Sequence, residues 1–133
     1  VRDGFYDGTI IHRVDSDVIQ GGGFLPGLKR KEGTRDPIVN EADNGLKNLK
    51  YTIAMARTSD PDSATSQFYI NLEDNPEYDA RPGQVGYAVF GKVISGKDVV
   101  DAIGAVATEA RGEFATVPIF DVVVERAERI ASD

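Results

Sequence analysis

Apolar and β-branched residues come in short bursts along this chain, separated by polar stretches rich in glycine and proline. Thr9 to Val14 is rich in β-branched side chains and follows an Asp7-Gly8 turn, which predicts a strand. Val18 to Gln20 is a second, short apolar strand that runs into three glycines. Thr52 to Ala56, Gln67 to Asn71 and Tyr87 to Ile94 predict three more, and Val122 to Val124 belongs to a last one. Gly21 to Asn48 reads as a long ordered loop with Ile38-Val39 as a short element inside it, and Arg57 to Ser66 and Asn75 to Gly86 are loops too. After Ser95-Gly96, the positions Val99, Val100 and Ile103 fit one helical face, with Gly104 closing the helix. Glu125 to Asp133 is polar enough to fray. No repeat or linker divides the chain, so residues 1–133 read as one domain. Several short strands with one helix predict a mainly β fold, a barrel or a sandwich.

Composition narrows the function. A chain of 133 residues with 41% hydrophobic and 28% charged residues can bury one ordinary core. Its formal charge of −7 argues against a phosphate-tracking surface, so no nucleic-acid partner is expected. Lys29, Arg30, Lys31 and Arg35 cluster locally and read as a solvated loop face. There are no cysteines and one histidine, which leaves no thiolate chemistry and no multi-histidine metal site. No metal or cofactor is expected. No apolar run approaches the roughly 20 residues of a membrane-spanning helix, and no membrane partner is expected. The only methionine is Met55, so Val1 is not expected to be a translated start.

The chemistry-bearing residues are Arg13, Gln20 and Gln67, with the aromatics Phe68 and Tyr69 beside the last. A guanidinium stays protonated at any working pH and offers five rigidly arranged donors. Beside neutral amides and aromatics, with no acid or nucleophile in the motif, it suits polarising a neutral substrate better than breaking a bond. His12 reads as a structural, hydrogen-bonding histidine. Gly21 to Gly23 lack the lysine and helix start of a phosphate loop, and close backbone packing in a turn explains them better.

Seven blocks, in order, carry a resemblance. Phe5-Tyr6-Asp7-Gly8-Thr9, His12-Arg13-Val14, Ile19-Gln20-Gly21-Gly22-Gly23-Phe24, Asn40-Glu41, Ala54-Met55-Ala56, Ser66-Gln67-Phe68 and Gly86-Tyr87-Ala88-Val89-Phe90-Gly91-Lys92-Val93 resemble the cyclophilin family, most closely its bacterial branch. The resemblance implies an antiparallel β-barrel with a capping helix and peptidyl-prolyl cis/trans isomerase activity on proline-containing peptides and unfolded or folding proteins. It implies Arg13 as the catalytic arginine. Gln20 and Gln67 would be the amides that orient it and bind the peptide backbone, and Ala56 a backbone contact. Val18 would keep part of the apolar floor, Tyr69 would stand for a phenylalanine of the proline pocket, and Tyr87 for a histidine or tyrosine. A monomer is expected, in the cytoplasm in preference to the periplasm.

The chain departs from the family pattern in three places. Asp17 and Val18 stand where a Phe-Met or Phe-Leu pair is usual, and the stretch from Arg13 to Gln20 is one residue short. That removes an aromatic from the pocket and is expected to shift the arginine. Glu77 and Tyr78 stand for a Trp-Leu or Phe-Leu pair, which implies a more polar and acidic substrate-binding rim and weak cyclosporin binding. The two strands and helix that open the family domain have no counterpart before Phe5, so the barrel is expected to be N-terminally incomplete and less stable for it. The altered Asp17-Val18 stretch also leaves a second reading, a proline-peptide binding module with weak or lost catalysis.

Overall fold

The computed structural model describes residues 1–130; residues 131–133, the end of the tail expected to fray, lie outside it. Among the described residues nine strands form in chain order, all paired antiparallel: β1 (Ile11–Val14), β2 (Val18–Gly21), β3 (Phe24–Leu25), β4 (Lys29–Arg30), β5 (Thr52–Met55), β6 (Phe68–Asn71), β7 (Val89–Lys92), β8 (Thr108–Arg111) and β9 (Phe114–Pro118). One helix, α1 (Lys97–Gly104), lies between β7 and β8. The main sheet has the order β1-β2-β6-β5-β7, and β3-β4 and β8-β9 are separate hairpins. The fold is mainly β with a single α-helix among the described residues, as the burst pattern predicts.

Period-two alternation gives the sheet two different faces. On one face Ile11, Val14 and Ile19 pack with Val100 of α1, flanked by Phe68, Ile70 and Leu72. On the other, Val18, Ala54, Ala56, Tyr69 and Val89 form a second cluster with Tyr78 and Tyr87 against it. Burying each large aliphatic side chain stabilises the fold by about 1.5–3 kcal/mol. The second face carries the site.

The connections differ from expectation in instructive ways. The long loop holds the β3-β4 hairpin, and Ile38 makes an isolated bridge to Ala64. The basic cluster is solvated: Lys29 and Arg30 are exposed, Arg30 lies over Phe24, and Arg35 pairs with Asp3 at the surface. The loop after β6 contains a 3₁₀ turn at Pro76–Tyr78. Val99 does not share the buried face of α1; only Val100 is buried there. Gly104 is the last helical residue rather than a left-handed stop. A side chain on it would come within 2.9 Å of Leu72, so close helix–sheet packing explains it. Val122 to Val124 is not a ladder strand: only Val123 bridges Ile10, although three backbone hydrogen bonds tie the segment to Gly8, Thr9 and Ile11. The β8-β9 hairpin went unread, although Gly112 at φ 57° marks its turn.

Candidate active site

Strand register assembles the site. Arg13 on β1 lies opposite Gln20 on β2, Gln20 opposite Tyr69 on β6, and Tyr69 opposite Ala54 on β5. Directly opposed residues share a face, so one row across the sheet presents a guanidinium, an amide and a phenol together. Above this row is a cavity of about 180 Å³ lined by Arg13, Val18, Gln20, Ala56, Arg57, Tyr69, Tyr78 and Tyr87.

The glycine run makes this register possible. Gly22 sits at φ 88°, and an added side chain would meet the Ser66 carbonyl at 2.7 Å. On Gly23 a side chain would lie 2.6 Å from the Gln67 amide. Gln67 therefore packs on bare backbone and accepts from Gln20 Nε2 at 2.9 Å. Gln67 stands behind Gln20 and is not among the residues that line the cavity. Neither amide is hydrogen-bonded to Arg13. The orienting contact expected of them is made by Asp15, which accepts from Arg13 Nε at 2.6 Å. Asp15 in turn accepts from Thr116 Oγ1 at 2.7 Å through its other oxygen.

Three tyrosines floor the cavity. The rings of Tyr69, Tyr78 and Tyr87 meet edge to face, with centroids 5.5–5.9 Å apart. Tyr69 is buried and donates to Asn48 Oδ1 at 2.7 Å, which joins it to a buried network. Asn71 donates to the same oxygen and to Thr52, and Asn75 donates to Asn71 and to the Asp17 carbonyl. Burial, helped by the neighbouring Tyr87 and Tyr78, pushes the Tyr69 phenol well above its ordinary value. Burial and the hydrogen bond to Asp17 raise Tyr78 likewise. Both therefore stay neutral donors at working pH.

The departures resolve at this floor. Val18 is buried and lines the cavity, while the Asp17 carboxylate accepts from the Tyr78 hydroxyl. Glu77 is exposed on the 3₁₀ turn and does not line the cavity. The expected acidic rim is thus absent from the cavity wall, which holds two arginines and no carboxylate. The second arginine, Arg57, escaped the sequence reading because it follows Ala56 at the start of a polar loop. Its guanidinium stacks 4.3 Å above Tyr87 and donates to the carbonyls of Thr58, Val85 and Gly86.

His12 lies on the opposite side of β1 from Arg13. It is 2% exposed, and its ring packs between Phe24 and Phe114. Among the described residues its Nδ1 has no hydrogen-bond partner, so aromatic packing holds it there rather than the hydrogen bonding expected of it. Burial, and then the charge of Arg13, lower its pKa to about 4. Among the described residues no cluster of His, Cys, Asp or Glu could hold a metal ion.

An aromatic-floored cavity whose wall carries two arginines and neither a carboxylate nor a serine, threonine or cysteine nucleophile offers fixed hydrogen-bond donors beside an apolar floor. Residues 1–129 match the family described as cyclophilin type peptidyl-prolyl cis-trans isomerase/CLD, and the chain belongs to that family. It is 55% identical over 132 residues to peptidyl-prolyl cis-trans isomerase cyp18 of Streptomyces antibioticus, covering 96% of this chain and 79% of that one. It is 52% identical to peptidyl-prolyl cis-trans isomerase B of Escherichia coli K12, covering 93% and 77%. A Cryptosporidium parvum cyclophilin type peptidyl-prolyl cis-trans isomerase, solved in the presence of the dipeptide Ala-Pro, shares the fold with a TM-score of 0.75. That likeness covers 93% of this chain and 75% of the other, at 24% identity. The chain is an enzyme of the isomerase class.

Proposed function

We propose that Arg13 is the catalytic arginine of a peptidyl-prolyl cis/trans isomerase that acts on X-Pro bonds of peptides and of unfolded or folding proteins. The observation that carries this reading is the row Arg13–Gln20–Tyr69 set along one cavity. Unaided rotation about X-Pro faces a barrier of about 18–20 kcal/mol and takes tens to hundreds of seconds. Amide resonance makes the barrier, so anything that withdraws the nitrogen lone pair from the carbonyl lowers it.

The proline ring is apolar and fits against Val18, Tyr69 and Tyr78, with Tyr87 closing the side. Gln20, steadied by Gln67, donates or accepts at the peptide backbone, and Ala56 offers its backbone beside it. Arg13 then donates toward the prolyl nitrogen, whose lone pair becomes available only in the twisted, pyramidal state. The interaction is stronger in the transition state than in either planar isomer, which is the requirement for catalysis. No proton is transferred and no covalent intermediate forms. Each factor of ten in rate needs about 1.4 kcal/mol of such preference.

Replacing Arg13 tests the role. Arg13→Ala is expected to lower isomerase activity by about two to three orders of magnitude, or about 2.7–4 kcal/mol. Arg13→Lys should also be poor, because a point charge does not reproduce the planar fork. A protease-coupled assay on a proline tetrapeptide, at equal folded fraction, measures both. Unchanged activity in the lysine variant refutes the role. Peptide binding that persists in a chain with no turnover would instead favour the binding-module reading.

A further inference from the structure

We propose that Asp15 is the positioning residue for Arg13, so that the catalytic guanidinium is aimed from the β1–β2 turn rather than by the neighbouring amides. The inference rests on the reading of Arg13 above. Among the described residues Arg13 makes one side-chain hydrogen bond, from Nε to Asp15 Oδ2 at 2.6 Å. An Nε contact fixes the plane of the fork while leaving both terminal nitrogens free for substrate. Without it, a long side chain that is half exposed would sample many rotamers.

Asp15 is itself held on both sides. Its backbone N–H donates to the Val18 carbonyl at 3.0 Å, which closes the turn. Its second oxygen takes the Thr116 hydroxyl of β9 at 2.7 Å. A relay therefore runs from β9 through one carboxylate to the arginine. Residues 13 and 15 are two apart on extended backbone and so share a face, which sets the carboxylate beside the guanidinium. Gln20 meanwhile spends its amide on Gln67 and gives Arg13 nothing.

Positioning makes a different demand on kinetics than binding or folding does. In Asp15→Ala, kcat for a proline tetrapeptide is expected to fall by about ten-fold to a hundred-fold, with KM nearly unchanged, because misaiming a reacting group costs rate rather than affinity. Asp15→Asn, whose amide oxygen can still accept from Nε, should recover a large part of that loss. Thr116→Val should show a smaller loss in kcat. In an Arg13→Ala background, Asp15→Ala should cost nothing further, since the group it aims is gone.

Urea unfolding of each variant, and rates taken at equal folded fraction, separate this from a loss of structure. Wild-type kcat in Asp15→Ala, a full additional loss on top of Arg13→Ala, or a loss confined to KM each overturns the proposal. A rise in kcat also overturns it and shows that the carboxylate restrains the arginine instead. If Arg13→Ala itself is fully active, the reading of the site fails first, and the two failures are told apart by that variant alone.

Discussion

The buried histidine makes a quantitative prediction about stability against pH. In the folded chain His12 has a pKa of about 4, lowered by burial and by the charge of Arg13. In the unfolded chain it is solvated and takes the ordinary value of about 6.5. Above pH 6.5 neither state binds the proton, and His12 costs nothing. As pH falls below about 6.5 the unfolded chain takes up a proton that the folded chain cannot, so stability is lost. The loss continues until about pH 4, where the folded state also protonates and the curve levels. A difference of about 2.5 pKa units corresponds to about 3 kcal/mol in full, and to about 2 kcal/mol at pH 5. The perturbation is His12→Leu, which keeps much of the volume between Phe24 and Phe114 but cannot titrate. Urea unfolding of both proteins between pH 8 and pH 4 gives the difference. Carboxylates are common to both chains and cancel. Whatever the offset between the two proteins at pH 7.5, the leucine variant should gain about 2 kcal/mol relative to the parent by pH 5. Parallel curves across that window would mean that His12 is solvated or paired in the folded chain, and would refute the argument.

Two more outcomes follow from the same site. Turnover over peptide affinity should be nearly flat between about pH 6 and pH 8, because His12 is neutral throughout and Tyr69 and Tyr78 remain protonated; a bell-shaped profile in that window would reveal a proton transfer the mechanism lacks. Glu77→Trp should strengthen cyclosporin binding, since an indole N–H can donate where an ionised carboxylate can only accept, and isomerase activity should hardly move because Glu77 does not line the cavity; tight binding by the unmodified chain in titration calorimetry would show that the drug does not depend on this position.

Much of the architecture was legible because it rests on local signals. β-branched runs gave β1, β2, β5, β6 and β7 within a residue or two, and the glycine run was readable as close packing because no lysine or helix start accompanied it. What escaped were features set by partners far away in the chain. The β8-β9 hairpin pairs a largely polar strand, Thr-Glu-Ala-Arg, with a short apolar one that ends in proline, and which of its residues face inward is decided by tertiary packing. Gly104 looked like a helix stop because its true reason, Leu72 on another element, leaves no local trace. Arg57 opens a stretch that reads as loop and Asp15 falls between two strands, and only the folded chain places one over Tyr87 and the other beside Arg13.

The departures from the family pattern illustrate the same limit more sharply. Taken singly, Asp17 in an apolar position and Tyr78 in a leucine position both read as damage to the pocket. In the structure they are one interaction, phenol to carboxylate, lying across the gap between the shortened turn and the 3₁₀ turn. The backbone follows them: the Asp17 carbonyl accepts from Leu72 N–H at 2.8 Å and from Asn75 Nδ2 at 3.1 Å, and Asn75 continues into the network that holds Tyr69. A polar pair at an apolar site is tolerable only when each member satisfies the other, which is the condition met here. Two contacts therefore define this side of the cavity. The Tyr78 hydroxyl donates to the Asp17 carboxylate, and the Asp15 carboxylate accepts from the Arg13 guanidinium. Both keep the cavity's essential chemistry, an apolar floor and an aimed cation, by different contacts from those the sequence pattern led one to expect.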